Sequence, residues 1–189
     1  MHRLATTFVL ISAIALGACG VGRTVSNAGG GLFEARQGAC PLIGILADAN
    51  RITLFNGPGR DLPNIQYSAE ITDVSTQCDY GRVGSQRFVY SRVQIDAAAQ
   101  LGSAARGEAA SIPYFVAIVE RSSQAILTKE VYQLNAPFTG DRRAMRLDDN
   151  IDRIAIPVET VADGGFYEII IGFELTADQL DYNRRREEF

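Results

Sequence analysis

The residues of this chain best suited to chemistry are polar residues crowded into the C-terminal third. Four of them fall at ligand positions 1, 3, 5 and 12 of a calcium-binding loop: Asp148, Asn150, Asp152 and Glu159. Position 6 of such a loop needs glycine for its sharp turn, but this chain has Arg153 there. We therefore predict a solvated turn whose acids pair with neighbouring arginines, and calcium binding remains the alternative. The neighbouring arginines are Arg142, Arg143 and Arg146.

Catalytic equipment is sparse in this sequence. The only histidine is His2, and the chain has no tryptophan. Without a further histidine, a Ser-His-Asp or Cys-His centre and a histidine-bearing zinc site cannot be built. Paired carboxylates could hydrolyse glycans, but they need a separation of about 5 to 9.5 Å inside a sugar cleft. We predict no catalytic residue, no cofactor and no enzymatic activity.

The beginning of the chain has the pattern of an export signal. Arg3 precedes an apolar run of 13 residues, Leu4 to Leu16. A bilayer-spanning helix needs roughly 20 residues, whereas the apolar part of a secretory signal needs about 7 to 15. We therefore predict that residues 1–18 are a signal peptide rather than a membrane span.

Leu16-Gly17-Ala18-Cys19 resembles the lipobox of bacterial lipoproteins. The resemblance implies that the signal is cut before Cys19 and that this cysteine carries the lipid. Gly20 after the cysteine implies the outer membrane, because aspartate is the usual retention signal at that position. Several acyl chains on one residue give stable anchoring, each buried methylene contributing about 0.8 kcal/mol.

The two remaining cysteines, Cys40 and Cys78, form an even number in an oxidising compartment, so a disulfide is expected. The chain-entropy model gives such a loop a stabilisation of about 4 kcal/mol. Two free buried thiols are the alternative. The spacing and the lack of a nearby histidine do not favour a redox pair.

Composition limits the partners. Hydrophobic residues make up 47% and charged residues 21% of the chain, which is typical of one globular domain. The net charge is −4, and loss of Arg3 with the signal would make it −5. Nucleic acid binding needs a basic face, so no nucleic-acid partner is expected. Residues 19–38, rich in glycine and small polar residues, are predicted to be a flexible tether, and residues 39–189 the folded domain.

Short segments of alternating or continuous apolar character, separated by turn signals, predict a mainly β fold. Residues 97–110 are rich in alanine and are predicted to be a loop or a short helix. Thr176 and Gln179 predict a capping box at the start of a short C-terminal helix. The predicted strands cover residues 41–47, 51–55, 67–80 (with a bulge near Asp73), 87–95, 112–119, 125–134, 153–158 and 166–175.

The segment Asp163-Gly164-Gly165-Phe166-Tyr167 resembles the tyrosine corner of immunoglobulin-like sandwiches. In such a corner Asp163, Gly165 and Tyr167 would be the matching residues, and the tyrosine hydroxyl would bind the backbone. Ile169 stands where immunoglobulin domains keep a cysteine. The resemblance implies an immunoglobulin- or fibronectin-III-like β-sandwich, and a simple Asp-Gly-Gly turn is the alternative.

Together these features resemble envelope lipoproteins of Gram-negative bacteria that have no assigned activity. The resemblance rests on the lipobox, on Cys40-Pro41, on Tyr114 to Ala117 and on Gly172 to Thr176. We expect an outer-membrane lipoprotein whose domain lies in the periplasm and acts as a non-catalytic binding or assembly module for an envelope protein. A small-ligand or metal binder, using the end loops of the sandwich or a cleft near residues 97–110, is the alternative. An exposed patch with aromatic residues such as Tyr114, Tyr132 or Phe138 would favour the first hypothesis, and a large apolar pocket the second.

Overall fold

The structure is a computed structural model, and it describes residues 38–107 and 109–187. The predicted signal peptide, the lipidation at Cys19 and nearly all of the predicted tether lie outside these residues. The described chain is mainly β, with one short C-terminal helix, α1 (Ala177–Glu187). Its strands are β1 (Leu42–Ile45), β2 (Arg51–Phe55), β3 (Ile65–Val83), β4 (Gln86–Leu101), β5 (Ala109–Glu120), β6 (Ala125–Pro137), β7 (Ala144–Val158) and β8 (Tyr167–Phe173).

The strands form two four-stranded sheets. The first sheet has the order β1-β8-β5-β6 and the second has the order β2-β3-β4-β7. All neighbouring strands are antiparallel except β1 and β8, which are parallel. Buried side chains from both sheets belong to one core cluster, as expected of a β-sandwich. The predicted mainly β architecture is confirmed at this level.

Alternation explains why the central strands form. In β4 every second residue from Val89 to Ala99 is buried, including the polar Ser91, and the alternate residues are more exposed. Burial of this face against the first sheet fixes the register, because a slip of one residue would expose the whole apolar set. The predicted bulge near Asp73 is present, where the pairing of β3 with β4 shifts between Ile71 and Asp73.

The prediction of a loop or a short helix for residues 97–110 was wrong at both ends of the segment. Residues 97–101 continue β4, and Ala109 and Ala110 begin β5, whereas residues 102–107 form a loop. Strand pairing on both sides explains the difference, because Ala99 pairs with Ala69 on β3 and with Met145 on β7. Such tertiary pairing overrides the weak local preference of alanine.

The predicted turn at residues 148–152 was also wrong, because the whole segment belongs to β7. Apolar residues alternate with the acids there: Leu147 is buried and Ile151 is half-buried, whereas Asp148, Asn150 and Asp152 are exposed. An edge strand tolerates this acidic outer face because water solvates it.

Two local predictions at the ends of the domain are confirmed. The Thr176 backbone N–H donates to Gln179 Oε1 at 2.9 Å, and the Gln179 N–H donates to Thr176 Oγ1 at 3.3 Å, which is a capping box. Cys40 and Cys78 form a disulfide, with their Cα atoms 5.7 Å apart. This bond joins the start of the described chain to β3.

Candidate functional site

Three of the predicted calcium ligands, Asp148, Asn150 and Asp152, lie on the exposed face of β7, and Glu159 follows the end of that strand, so the four do not converge. In the described ranges, no group of three or more histidine, cysteine, aspartate or glutamate side chains could hold a metal ion. The predicted pairing of these acids with neighbouring arginines is not present either. Within the same ranges no ion pair joins Arg142, Arg143 or Arg146 to Asp148 or Asp152.

The predicted tyrosine corner lies at a crossing from the second sheet to the first. Asp163 begins a 3-10 helix, Asp163–Phe166, and its carboxylate accepts hydrogen bonds from the Thr160 hydroxyl at 2.6 Å and the Thr160 N–H at 2.7 Å. These hydrogen bonds, the hydroxyl's first, lower the pKa of Asp163.

The pinning contact at this crossing comes from a different tyrosine. No hydrogen bond joins the Tyr167 hydroxyl to another described residue, whereas the Tyr80 hydroxyl donates to the Ala39 carbonyl oxygen at 2.6 Å. A Cβ on Gly164 would collide with both the Tyr80 hydroxyl and the Ala39 carbonyl oxygen, so this close approach requires glycine. Tyr80 on β3 thus holds the chain start against the crossing.

The aromatic residues suggested for a surface patch do not form one. Tyr114 and Phe138 are each 1% exposed and belong to the core, and only Tyr132 reaches the surface. Tyr114 and Phe138 are therefore aromatic because they pack in the core, and they are not available to a partner protein. The large apolar side chains that are exposed lie elsewhere: Leu42, Leu46, Leu62, Val83, Ile126, Leu127, Val131 and Phe166.

A polar cluster that the sequence did not reveal lies between β6 and β7, at the open edge of the two sheets. The Tyr114 hydroxyl donates to Asp149 Oδ2 at 2.8 Å, and the Tyr132 hydroxyl donates to Glu130 Oε2 at 2.6 Å. The two rings stack with their centroids 5.5 Å apart. Burial, together with the hydrogen bond to Asp149, raises the pKa of Tyr114. Burial, with the hydrogen bond to Glu130, raises the pKa of Tyr132 to about 12. Both tyrosines are therefore neutral donors at physiological pH.

A concavity lies on the outer face of the second sheet, and we call it the sheet groove. Its volume is about 630 Å³. Ala98 of β4 pairs with Glu70 of β3 on one side and with Arg146 of β7 on the other. Because alanine is short and its neighbours are long, the middle of the face is hollow. Arg51 of β2 closes one side through an ion pair with Glu70 at 2.8 Å.

The next row of side chains continues the groove toward the loop after β4. Gln100 pairs with Ser68 on β3 and with Ala144 on β7, and all three line the groove. The Ser68 hydroxyl and the Gln100 amide thus line the groove next to the Arg51–Glu70 ion pair. The row supplies hydrogen-bond donors and acceptors but no strong nucleophile.

A second hollow of about 430 Å³ shares Ser68 and Gln100 with the sheet groove. Its wall includes Gly102 and Arg143. The Arg143 guanidinium donates to the carbonyl oxygens of Leu101 at 3.4 Å and Gly102 at 2.5 Å, so the cation is held in place beside the hollow. Gly102 is required there because a Cβ would collide with the Ile65 carbonyl oxygen. The segment that the sequence singled out as a possible cleft does line both hollows.

The charged side chains that line the two hollows are three arginines and one glutamate. They are Arg51, Glu70, Arg143 and Arg146, and Glu70 is already paired with Arg51. Guanidinium groups favour carboxylate or phosphate oxygens as partners.

Comparison with family models, with curated proteins and with solved structures gave no match to this chain. Within residues 38–107 and 109–187, no helix has the length and the apolar character needed to cross a membrane.

Proposed function

We propose that this protein is an outer-membrane lipoprotein, anchored through Cys19, whose periplasmic domain is a non-catalytic binding or assembly module of the cell envelope. The lipobox and the apolar run before it support the anchor. The sheet groove is the observation that carries the binding role. We also infer that the two sheets form an immunoglobulin- or fibronectin-III-like sandwich, which is supported by the crossing between sheets at Asp163–Phe166.

The shape of the groove favours an extended segment of a partner protein. It is an open channel across β2, β3, β4 and β7 rather than an enclosed cavity. An extended chain could place alternate side chains against Ala98 and its backbone groups against Ser68 and Gln100.

The charges of the groove favour an acidic partner segment. In the described part of the chain Arg146 makes no ion pair, whereas Arg51 and Glu70 neutralise each other. Arg143, at the adjoining hollow, is held by carbonyl oxygens rather than by an acid. We therefore propose an acidic extended segment of an envelope protein as the partner.

Site-specific photo-crosslinking in the native membrane tests this function. Ala144 and Ala155 are both exposed alanines of β7, but only Ala144 lines the groove. A photo-reactive side chain at position 144 is expected to capture one recurrent envelope protein, and the same group at position 155 is expected to capture none. Equal capture at both positions, or none at either, would exclude the groove as the binding site.

A small anionic ligand is the second candidate, and the fixed Arg143 guanidinium beside the second hollow favours it. A panel of small carboxylates and phosphates can be screened by the rise in melting temperature that binding produces. The rise should survive in Arg142→Met and vanish in Arg143→Met. A rise retained in both variants would place the ligand elsewhere.

A further inference from the structure

One end of the domain collects the start of the described chain and several strand ends. Gly38 and Ala39 lie there, and the Ala39 N–H donates to the Val161 carbonyl oxygen at 2.8 Å. Two turns and one crossing between the sheets lie at the same end, as the strand pairing shows. Val83 pairs with Gln86 across the turn after β3, and Glu120 pairs with Ala125 across the turn between β5 and β6. Glu120 also pairs with Tyr167, which ends the crossing from β7 to β8. We call this the proximal end. The end with the C-terminal helix and the second hollow is the distal end.

Exposed apolar side chains concentrate at the proximal end. Val83 is 64%, Ile126 65% and Phe166 61% exposed, although each is a large apolar residue. Two of them are close in the backbone, because the Arg121 N–H, at the turn before Ile126, donates to the Phe166 carbonyl oxygen at 2.9 Å. Leu42, the first residue of β1, and Leu127 add to the same end. Large apolar side chains exposed on neighbouring turns at one end of a domain are candidates for contact with an apolar partner.

The route of the chain indicates what that partner is. Eighteen residues lie between Cys19 and Gly38, and the flexible tether that the sequence predicts there would have a root-mean-square span of about 25 Å. The chain start cannot swing away from the proximal end, because the Cys40–Cys78 disulfide and the Tyr80 hydroxyl hold it there. Because the tether joins the domain at the proximal end, a bilayer that holds Cys19 lies within one tether span of that end.

The charges at this end decide what kind of contact is made. Arg82, Arg87 and Arg121 are accompanied by Glu120, Glu159 and Asp163, so neither sign dominates. Attraction to anionic lipid needs a basic surface, each lysine or arginine near the surface contributing about 1 kcal/mol. The proximal end would therefore contact a bilayer through its apolar side chains, and that contact would not depend on anionic lipid.

We propose that the proximal end is a membrane-docking surface, where Val83, Ile126 and Phe166 enter the head-group region of the bilayer that carries the Cys19 lipid. This inference rests on the proposed lipid anchor. The acyl chains supply the attachment, and the apolar end sets the orientation of the domain on the membrane. The distal end and the sheet groove then face away from the lipid.

Depth-dependent quenching in the full-length lipidated protein tests the proposal. Single cysteines replace Val83, Ile126 or Phe166 in turn, and Leu62→Cys is the matched control, because Leu62 is 78% exposed at the distal end. Each cysteine carries an environment-sensitive fluorophore in vesicles of zwitterionic lipid, and brominated acyl chains act as the quencher. Loss of fluorescence is expected at the three proximal positions and not at position 62, with no change when anionic lipid is added.

Intact mass and labelling of the unsubstituted protein separate this proposal from the lipid anchor. With Cys19 lipidated and the other two cysteines in a disulfide, the unsubstituted protein should take up no fluorophore. If the lipid mass is present and the proximal positions are not quenched, docking is refuted while the anchor stands. If the lipid mass is absent, the anchor is refuted, and quenching at the proximal positions but not at position 62 would then show membrane contact that does not depend on the anchor. Absence of both, or equal quenching at position 62, overturns the docking surface.

Discussion

Replacement of Tyr114 by phenylalanine removes one hydroxyl from the interior and leaves Asp149 Oδ2 without its donor, while Asp149 Oδ1 still accepts from the Asn150 N–H at 2.8 Å. Tyr114 is 1% exposed, and its hydroxyl lies 2.8 Å from Asp149 Oδ2. Hydrogen bonds to charged groups contribute about 1.5 to 3 kcal/mol, and an unsatisfied charged group costs as much or more. We therefore expect Tyr114→Phe to lower the free energy of unfolding by about 2 kcal/mol. For a domain of this size that corresponds to a melting temperature lower by about 4 to 8 °C.

Tyr132→Phe is the matched control for this experiment. It removes a hydroxyl that bonds Glu130 at 2.6 Å, and Glu130 is exposed, so water can replace the donor. We expect a loss below about 1 kcal/mol. Urea unfolding followed by circular dichroism measures the free energy of unfolding of both variants. If its slope against urea concentration matches that of the unsubstituted protein, the surface exposed on unfolding is unchanged.

A double-mutant cycle with Asp149→Ala isolates the pair. If the hydrogen bond accounts for the loss, the two substitutions together should cost clearly less than the sum of their separate effects. Additive effects, or equal losses in Tyr114→Phe and Tyr132→Phe, would refute the role assigned to the Tyr114–Asp149 contact.

Three further predictions concern stability. Replacing Cys40 and Cys78 by serine should lower the free energy of unfolding by about 4 kcal/mol, because the disulfide closes a loop with a sequence separation of 38. Calorimetry with and without a reductant measures the loss, and an unchanged melting temperature would contradict the prediction. The free energy of unfolding should fall as pH rises from 10 toward 12, because the pKa of Tyr132 is near 10 in the unfolded chain but about 12 in the folded one. Urea titrations at each pH should show a smaller fall in Tyr132→Phe than in the unsubstituted protein, and an equal fall would contradict this cause. Ser91 is 1% exposed and its hydroxyl has no hydrogen-bond partner in the described chain, so Ser91→Ala should keep or raise the melting temperature, and a clear decrease would point to an unseen partner.

Patterns with a strong local cause could be predicted from the sequence. The strand Arg51–Phe55 was predicted with the bounds that the structure gives it, because its alternation ends in a cluster of turn residues. The capping box at Thr176 was equally local, since its two side chains lie three residues apart. The disulfide followed from the number of remaining cysteines rather than from their surroundings.

The predictions that failed were those in which a partner strand decides the outcome. Ala97 and Ala99 have little strand preference of their own, and they became strand because β3 and β7 pair with β4 on either side. Asp149 could not be distinguished from the neighbouring acids, because only the register of β7 turns it inward toward Tyr114. The sheet groove has the same origin, since its floor and walls come from separate strands.

The length of the strands links the proposed function to the proposed docking surface. Arg87 lies near the proximal end of β4, and Ala98 of the same strand lies in the groove. At the usual rise per strand residue, these two residues are about 35 Å apart. If Val83 and Phe166 touch the head groups, the groove is held well above the bilayer. Lipid is then an unsuitable ligand for the groove, and a periplasmic protein segment can reach it without competing with the membrane. A domain lying on its second sheet would reverse this geometry, because the bilayer would cover Ala144 and protect it from photo-crosslinking to protein. The crosslinking and quenching experiments therefore constrain each other: capture of a periplasmic protein at position 144 excludes a domain that lies on its second sheet, and it agrees with the upright orientation that docking of the proximal end would produce.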